Sequence, residues 1–262
     1  MTREKLSAIV TSFNEEVNIK ECMESVSFAD EVLLVDSFST DRTLDLARPI
    51  PGVRILQREY FGSAAQKNWA MDQTVHPWIL IVDADERVTP GLAREIVDLL
   101  ERDPSDDYYS IRRRNLFLDR IIRHSGWSTD KVVRLVRRGT ARYPNRRVHA
   151  DIRPEGHVPT LEHALLHYTF RSLGQYLEKL HRYAEWGAAD LYRKGRRPGA
   201  IELWFRPVWR FLRMYVFQAG FLDGPRVLGN APSTSPALSG DGTTVVFASA
   251  ASNLAPACTN GV

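Results

Sequence analysis

The stretch Trp78-Ile-Leu-Ile-Val-Asp-Ala-Asp85 joins an apolar run to two carboxylates. The run from Trp78 to Val82 is large and apolar throughout, which is typical of a strand buried on both faces of a sheet. Asp83 and Asp85 follow it, and carboxylate oxygens at a strand end are ligands that Mg²⁺ and Mn²⁺ prefer. The stretch therefore indicates a divalent-cation site at the edge of a sheet, although a polar turn would have the same pattern when taken alone.

Strand and helix patterns alternate on the amino-terminal side of this stretch. Such alternation predicts an α/β fold with a mostly parallel sheet covered on both faces. Ligands of such sheets bind beyond the carboxyl ends of the strands. Strands are predicted at residues 6–11, 32–36, 53–56 and 78–83, and helices at 15–26, 40–47, 63–73 and from Thr89-Pro90 onward.

Beyond residue 106 the pattern changes. Short strands at 108–112 and 132–136 are followed by an amphipathic helix at 172–194 and a second helix at 201–222, rich in Trp, Phe and Arg. We predict a catalytic domain at 1–170, a helical appendage at 171–224 and a tail at 225–262. The tail resembles one blade of a TolB-like β-propeller, and one blade cannot bury its own faces. We expect it to be disordered or foreign to the rest of the protein, and we assign it no function.

Composition limits the class of protein. The chain has 262 residues, with 44% hydrophobic and 26% charged residues, as in a globular protein. Residues 1–100 carry 10 Lys and Arg against 17 Asp and Glu, whereas residues 101–224 carry 24 against 14, so the second half favours an anionic partner. No apolar leader or membrane-length run is present, which predicts a cytoplasmic protein. No motif accompanies the Arg pairs that would indicate nucleic acid.

Three more motifs lie in order around the two aspartates. Phe-Asn-Glu at 13–15 follows the first strand, Val-Asp-Ser-Phe-Ser-Thr-Asp at 35–41 follows the second, and Lys67-Asn68 precedes the Asp-Ala-Asp strand. With these motifs the chain resembles family 2 glycosyltransferases of the GT-A type, from about residue 6 to 224. Each motif is weak alone, but the four in order are specific.

The resemblance implies a nucleotide-sugar site and a Mg²⁺ or Mn²⁺ cofactor. By this carry-over Asp85 binds the metal directly, and Lys67 lies near the nucleotide. Glu15 is equally typical of the acidic first turn of a helix. The residues implied to bind the UDP-sugar donor are Thr11, Phe13, Glu15, Asp36, Lys67 and Asp83.

The acceptor side carries candidates for a general base. The segment His-Ser-Gly-Trp-Ser-Thr-Asp at 124–130 resembles the family's acceptor-side segment, and an inverting transfer needs a carboxylate to take the acceptor proton. We predict Asp130 as this base and Asp151 as the alternative; Asp130 could instead be a loop acid paired with Arg134.

Residues 142–149 resemble the branch with lipopolysaccharide-core β-glucosyltransferases. Many relatives there read Val-His-Glu, where this chain has Val148-His149-Ala150. We predict His149 as a metal ligand or pyrophosphate contact, with a structural histidine as the alternative.

The second helix of the appendage has a basic face. Arg206, Arg210 and Arg213 share it, and aromatic and aliphatic residues surround the rest. This pattern is typical of a helix in a membrane interface, and Pro207 would bend it or begin a new helix. The alternative is a helix packed on the catalytic domain.

The combined hypothesis is an inverting transferase. It would move a hexose, with glucose favoured by the branch, from a UDP-sugar to a cell-envelope glycan or lipid-linked acceptor at an anionic membrane surface. Two alternatives stay open: a nucleotidyltransferase, which would favour a Gly-rich loop after the first strand, and a sugar-nucleotide-binding protein impaired by Ala150.

Overall fold

The computed structural model describes residues 3–144, 151–195, 199–223, 233–238 and 245–249. The chain divides into two compact units. The first comprises Met1–Arg114 and Thr129–His167, and the second comprises Asn115–Ser128 and Tyr168–Val262.

The first unit is built around four parallel strands in the order β3-β2-β1-β4. Helices connect them, and α4 begins with the Thr89 hydroxyl accepting from the Leu92 amide at 3.2 Å, as the Thr-Pro signal predicts. The predicted α/β class is confirmed. The strands are β1 (Leu6–Ser12), β2 (Glu31–Asp36), β3 (Val53–Gln57) and β4 (Trp78–Asp83); the helices are α1 (Ile19–Ser25), α2 (Thr43–Ala47), α3 (Ser63–Asp72) and α4 (Pro90–Glu101).

The first helix begins later than the sequence predicts. Residues 15–18 form a turn instead, in which the Asn18 amide donates to the Glu15 carbonyl at 2.8 Å. The Glu15 amide donates to Thr43 Oγ1 at 2.7 Å, and this amide would have no partner in the first turn of a helix.

Antiparallel strands extend the sheet to the order β3-β2-β1-β4-β8-β6-β9-β5, with β7 pairing to β6. The sequence did not predict β5, which is too short, or β9, whose buried and exposed positions do not alternate. The additional strands are β5 (Glu86–Val88), β6 (Tyr108–Phe117), β7 (Arg120–Ile121), β8 (Lys131–Arg137) and β9 (Thr160–Phe170).

The core lies on both faces of the sheet. Side chains such as Leu6 and Leu80 pack with α1 and α4 on one face, and Ile9 and Ile81 pack with α3 on the other. Cys22 lies in the first layer as a buried free thiol, and burial raises the pKa of this thiol well above its ordinary value. Covering both faces leaves the strand ends as the place for polar chemistry.

The second unit is mostly helical. The predicted second helix is three segments, α6 (Ala200–Phe211), a π-helical turn (Leu212–Phe217) and a 3₁₀ turn (Gly220–Leu222), and Pro207 lies inside α6. Left-handed Ala219 (φ 54°) separates the last two. The unit also contains α5 (Leu173–Arg193) and an antiparallel pair of strands in the tail, β10 (Ser233–Leu238) with β11 (Val245–Ser249). Among the described helices, none combines the length and apolarity needed to cross a bilayer.

Candidate active site

The carboxyl ends of the parallel strands bring the sequence motifs together. Thr11 of β1 is in register with Asp83 of β4, and Ser12 is in register with Asp36 of β2. Asp36 and Asp83, which are 47 residues apart in the sequence, therefore lie on either side of the carboxyl end of β1. This is the edge where an α/β sheet binds its ligands.

Asp36 is fully buried and organises the loop after β2. Its carboxylate accepts hydrogen bonds from Ser12 Oγ (3.0 Å), the Ser39 amide (2.9 Å), Ser39 Oγ (2.5 Å) and Gln57 Nε2 (3.2 Å). Phe13, the next predicted base contact, is 57% exposed and leaves its ring open to a ligand. The role of Asp36 toward a nucleobase stays a prediction, and the contacts in hand give it a loop-building role.

The loop after β1 interlocks with the loop after β2. The Asn14 amide donates to Ser39 Oγ at 2.9 Å, and the Thr40 amide donates back to Asn14 Oδ1 at 2.8 Å. Glu15 accepts from Asn18 Nδ2 at 2.8 Å, so one contact of this predicted substrate ligand lies within its own turn. Burial would raise the pKa of Asp41, but hydrogen bonds from Thr43 and the Glu16 amide outweigh it and lower that pKa. The two motifs thus form one rigid rim.

Asp83 is held between two cations. Lys67 Nζ lies 2.7 Å from Asp83 Oδ1, Arg134 Nη2 lies 2.5 Å from Asp83 Oδ2, and Thr11 Oγ1 donates to Oδ1 at 3.5 Å. Burial alone would raise the pKa of Asp83, but the charges of Arg134 and Lys67 hold it well below the ordinary carboxyl range. Asp83 is therefore a permanent anion whose oxygens already face protein cations.

Asp85 faces an imidazole that sequence reasoning did not assign to the site. His167 Nε2 lies 3.4 Å from Asp85 Oδ2, and both side chains are largely buried. Burial would lower the pKa of His167, but its hydrogen bond to Asp85 and that carboxylate's charge outweigh it and raise the pKa. The contact forms because β5 pairs with β9 and aligns Glu86 with His167. Since β9 has no recognisable strand pattern, the sequence does not predict this contact.

A carboxylate oxygen and an imidazole nitrogen are suitable ligands for Mn²⁺, and the oxygen for Mg²⁺. Asp85 and His167 therefore fit a divalent cation, whereas Asp83 is occupied by Lys67 and Arg134. Across the described ranges no cluster of three or more His, Cys, Asp or Glu side chains could hold a metal. The described residues thus offer two ligands, which leaves coordination positions for water or phosphate oxygens.

Asp130 lies next to Arg113, which binds it with two hydrogen bonds. Arg113 Nε and Nη2 donate to the two carboxylate oxygens at 2.9 and 3.0 Å. The sequence named Arg134 as a partner of Asp130, but Arg134 lies against Asp83 and Glu86 instead. The pair fixes the orientation of Asp130 and engages both of its carboxylate oxygens, and the role of Asp130 as a base stays a prediction.

The remaining predicted residues lie at the edge of what the structure describes. Asp151 is half-buried in an irregular segment beside Ile152, which is buried in the core. His149 falls outside the described residues. The Asn68 side chain of the Lys-Asn motif anchors this region, donating to the Tyr143 carbonyl at 2.9 Å and accepting from its amide at 2.8 Å.

Comparison with known proteins defines the class. Residues 7–160 match the sequence profile of Glycosyl transferase family 2, and the chain belongs to that family. This family membership favours glycosyl transfer over nucleotidyl transfer.

Among individual relatives, the chain is 31% identical to the lipopolysaccharide core biosynthesis glycosyltransferase LpsC of Rhizobium meliloti (strain 1021), over 80% of each protein. It is 28% identical to an uncharacterized glycosyltransferase of Rickettsia bellii (strain RML369-C), over 84% of this chain and 79% of the relative. The crystal structure of S. aureus TarS 1-349 in complex with UDP aligns with 43% of this chain and 36% of that one, at 25% identity and a TM-score of 0.39.

We predict that Asp83→Asn destabilises the protein more than Asp85→Asn. The first change removes the counter-charge of two nearly buried cations, Lys67 and Arg134. Because the Asp83 side chain is 30% exposed, we expect a loss of roughly 2 kcal/mol in the free energy of unfolding, below the cost for a fully buried pair. Urea denaturation measures both variants, and an equal or larger loss for Asp85→Asn would contradict the assignment.

Proposed function

We propose that this chain transfers a hexose, with glucose as the proposed sugar, from a UDP-sugar to a hydroxyl of a cell-envelope glycan such as lipopolysaccharide core, with inversion. The observation that carries the proposal is the single strand edge with Asp83 and Asp85, near which Arg113 fixes a third carboxylate, Asp130. The similarity to LpsC supports the class of acceptor.

The donor side of the site fits a nucleoside diphosphate. The exposed ring of Phe13 offers a face for the nucleobase, and Lys67 lies at the same strand edge, paired with Asp83. Mg²⁺ or Mn²⁺ bound by Asp85 and His167 would neutralise charge on the departing diphosphate. His149, which the sequence named as a ligand, keeps that proposed role as an alternative to His167.

In the proposed reaction the acceptor hydroxyl oxygen bonds to the anomeric carbon as the bond from that carbon to the β-phosphate oxygen breaks. UDP leaves with the bonding electron pair, and Asp130 takes the hydroxyl proton. Attack from the face opposite the leaving group inverts the anomeric configuration. Arg113 keeps the Asp130 carboxylate in one orientation for this proton transfer.

We predict that Asp85→Ala weakens UDP binding in the presence of Mn²⁺ and abolishes transfer. The fold should survive, because Asp85 lies after the end of β4 and contributes little to the apolar core. Isothermal titration calorimetry with UDP and Mn²⁺ measures the effect. Asp45→Ala, at an exposed acid of α2, is the control and should bind as the parent does; equal UDP affinity in the Asp85 variant and the parent would overturn the metal assignment.

Asp130→Asn tests the base. We expect turnover to fall by about two to four orders of magnitude while UDP affinity stays near the parent value, because the lost proton transfer belongs to the transition state. Steady-state transfer assays and UDP titrations separate the two quantities. Near-normal turnover in Asp130→Asn together with an inactive Asp151→Asn would move the base to Asp151.

The second unit supports a membrane-bound acceptor. Along α6 and the π-helical turn, large apolar side chains face outward, with Trp204 80% exposed and Phe217 71% exposed. Arg206 and Arg210 of α6 and Arg213 of the π-helical turn are also exposed, and Arg206 pairs with Glu202 at 2.9 Å. We propose that this face enters the headgroup region of an anionic membrane at its cytoplasmic side, where lipid-linked glycans would be presented.

We predict salt-sensitive binding to anionic vesicles. Co-sedimentation should retain the protein on phosphatidylglycerol-containing liposomes at low salt, but not on neutral ones, with about 1 kcal/mol per Arg. Changing Arg206, Arg210 and Arg213 to Glu should release it. The matched control changes the exposed Arg48, Arg94 and Arg102 of the first unit to Glu and should still bind; equal loss in both variants would point to net charge rather than this helix.

A further inference from the structure

Glu86 is a buried carboxylate that the proposed reaction does not use. Its side chain is fully buried, and it follows the Asp-Ala-Asp motif at the start of β5. Glu86 Oε2 accepts from the Asp83 amide at 3.0 Å. Glu86 Oε1 lies 2.7 Å from Arg134 Nη2 and 3.5 Å from Arg113 Nη1. One carboxylate therefore contacts two arginines and the backbone of the motif.

These two arginines each bind a different candidate site carboxylate. Arg134 uses the same Nη2 atom for Glu86 and for Asp83 Oδ2, and Arg113 binds Asp130 with two donors. Glu86 is thus the shared neighbour between the donor-side and acceptor-side carboxylates. The resulting chain of ion pairs holds three cations and three anions, in the order Lys67, Asp83, Arg134, Glu86, Arg113 and Asp130.

We propose that Glu86 is a positioning residue for transfer, which sets Asp83 and Asp130 relative to each other through Arg134 and Arg113. The inference rests on the proposed function, because it takes Asp83 as the donor-side group and Asp130 as the base. Glu86 itself is not placed against substrate. It acts by holding both guanidinium groups in fixed positions.

The energetics favour a positioning role over a purely stabilising one. A buried ion pair offsets its own desolvation cost only when its geometry is good, and apolar residues of similar volume often stabilise a fold equally well. A carboxylate at 0% exposure between two arginines therefore contributes little more to the free energy of unfolding than apolar residues could. Removing it, however, leaves Arg113 and Arg134 as neighbouring positive charges that repel each other and draw Asp83 and Asp130 out of place.

Glu86→Gln tests this with a matched control. The amide keeps the shape and can still accept from the Asp83 amide, but it lacks the charge. The control is Glu31→Gln at the start of β2, the end of that strand away from Asp36. The Glu31 carboxylate is largely buried, pairs with Arg54 at 2.9 Å and accepts from the Val75 amide at 3.1 Å. Both variants are measured for thermal unfolding, for UDP affinity and for kcat per folded molecule.

We expect kcat of Glu86→Gln to fall by about 10- to 100-fold, the usual effect of losing a group that orients a site ligand. Glu31→Gln should lose thermal stability but keep kcat within about twofold, since it shares no partner with the site. Glu86→Asp, which keeps the charge on a shorter stem, should recover part of the loss. If kcat of folded Glu86→Gln equals that of the parent, Glu86 is structural only and the proposal is overturned.

A second measurement needs no substrate. Asp83→Asn and Asp130→Asn are made singly and together, in the parent and in the E86Q background, and urea unfolding gives their coupling. The coupling should be present in the parent and vanish without the Glu86 charge. Additive effects in both backgrounds would overturn the proposal. Because this cycle is independent of transfer, absence of hexose transfer by the parent would count against the proposed function alone.

Discussion

The ion pairs of Asp83 with Lys67 and Arg134 are the interaction on which the rest of the site depends. They join three elements at one point, since Lys67 comes from α3, Asp83 from the end of β4, and Arg134 from β8. Taking two cations and a carboxylate out of water is costly unless each finds a partner. This constraint fixes the distance between the helix that follows β3 and the antiparallel extension of the sheet, and so shapes the site.

Similar pairing uses part of the charge asymmetry along the sequence. The basic second half predicts an anionic partner, yet several of its arginines bind acids of the first half within the first unit. Arg134 binds Asp83 and Glu86, Arg137 binds Glu4, and Arg142 binds Asp72. These arginines are thus an internal folding signal rather than a signal for a partner. In α6, Arg206 pairs with Glu202 at 2.9 Å, and Arg210 is exposed.

Local signals were enough to predict the parallel strands and the motif aspartates. A run such as Ile79–Val82 fills both faces of a sheet, and the strand-end acid after it can only lie at the edge where ligands bind. The partners of those acids were not predictable in this way. His167 contacts Asp85 because it lies on β9, and β9 has no alternating sequence pattern. Glu86 contacts both Arg113 and Arg134, which are distant from it in the sequence, so no local spacing predicts these contacts. The late start of α1 depends on a turn at residues 15–18, where the Asn18 amide donates to the Glu15 carbonyl, and no local sequence signal marks this turn.

The central claim is that this strand edge carries out metal-dependent chemistry on a nucleotide sugar. The most direct test is to measure the release of UDP from UDP-glucose with a coupled assay. The release is measured first without acceptor and then with a lipid-linked envelope glycan. The account predicts slow release without acceptor, faster release with it, complete loss in EDTA and recovery on adding Mn²⁺. Release that persists at the same rate in EDTA, or no release under any of these conditions, would contradict it.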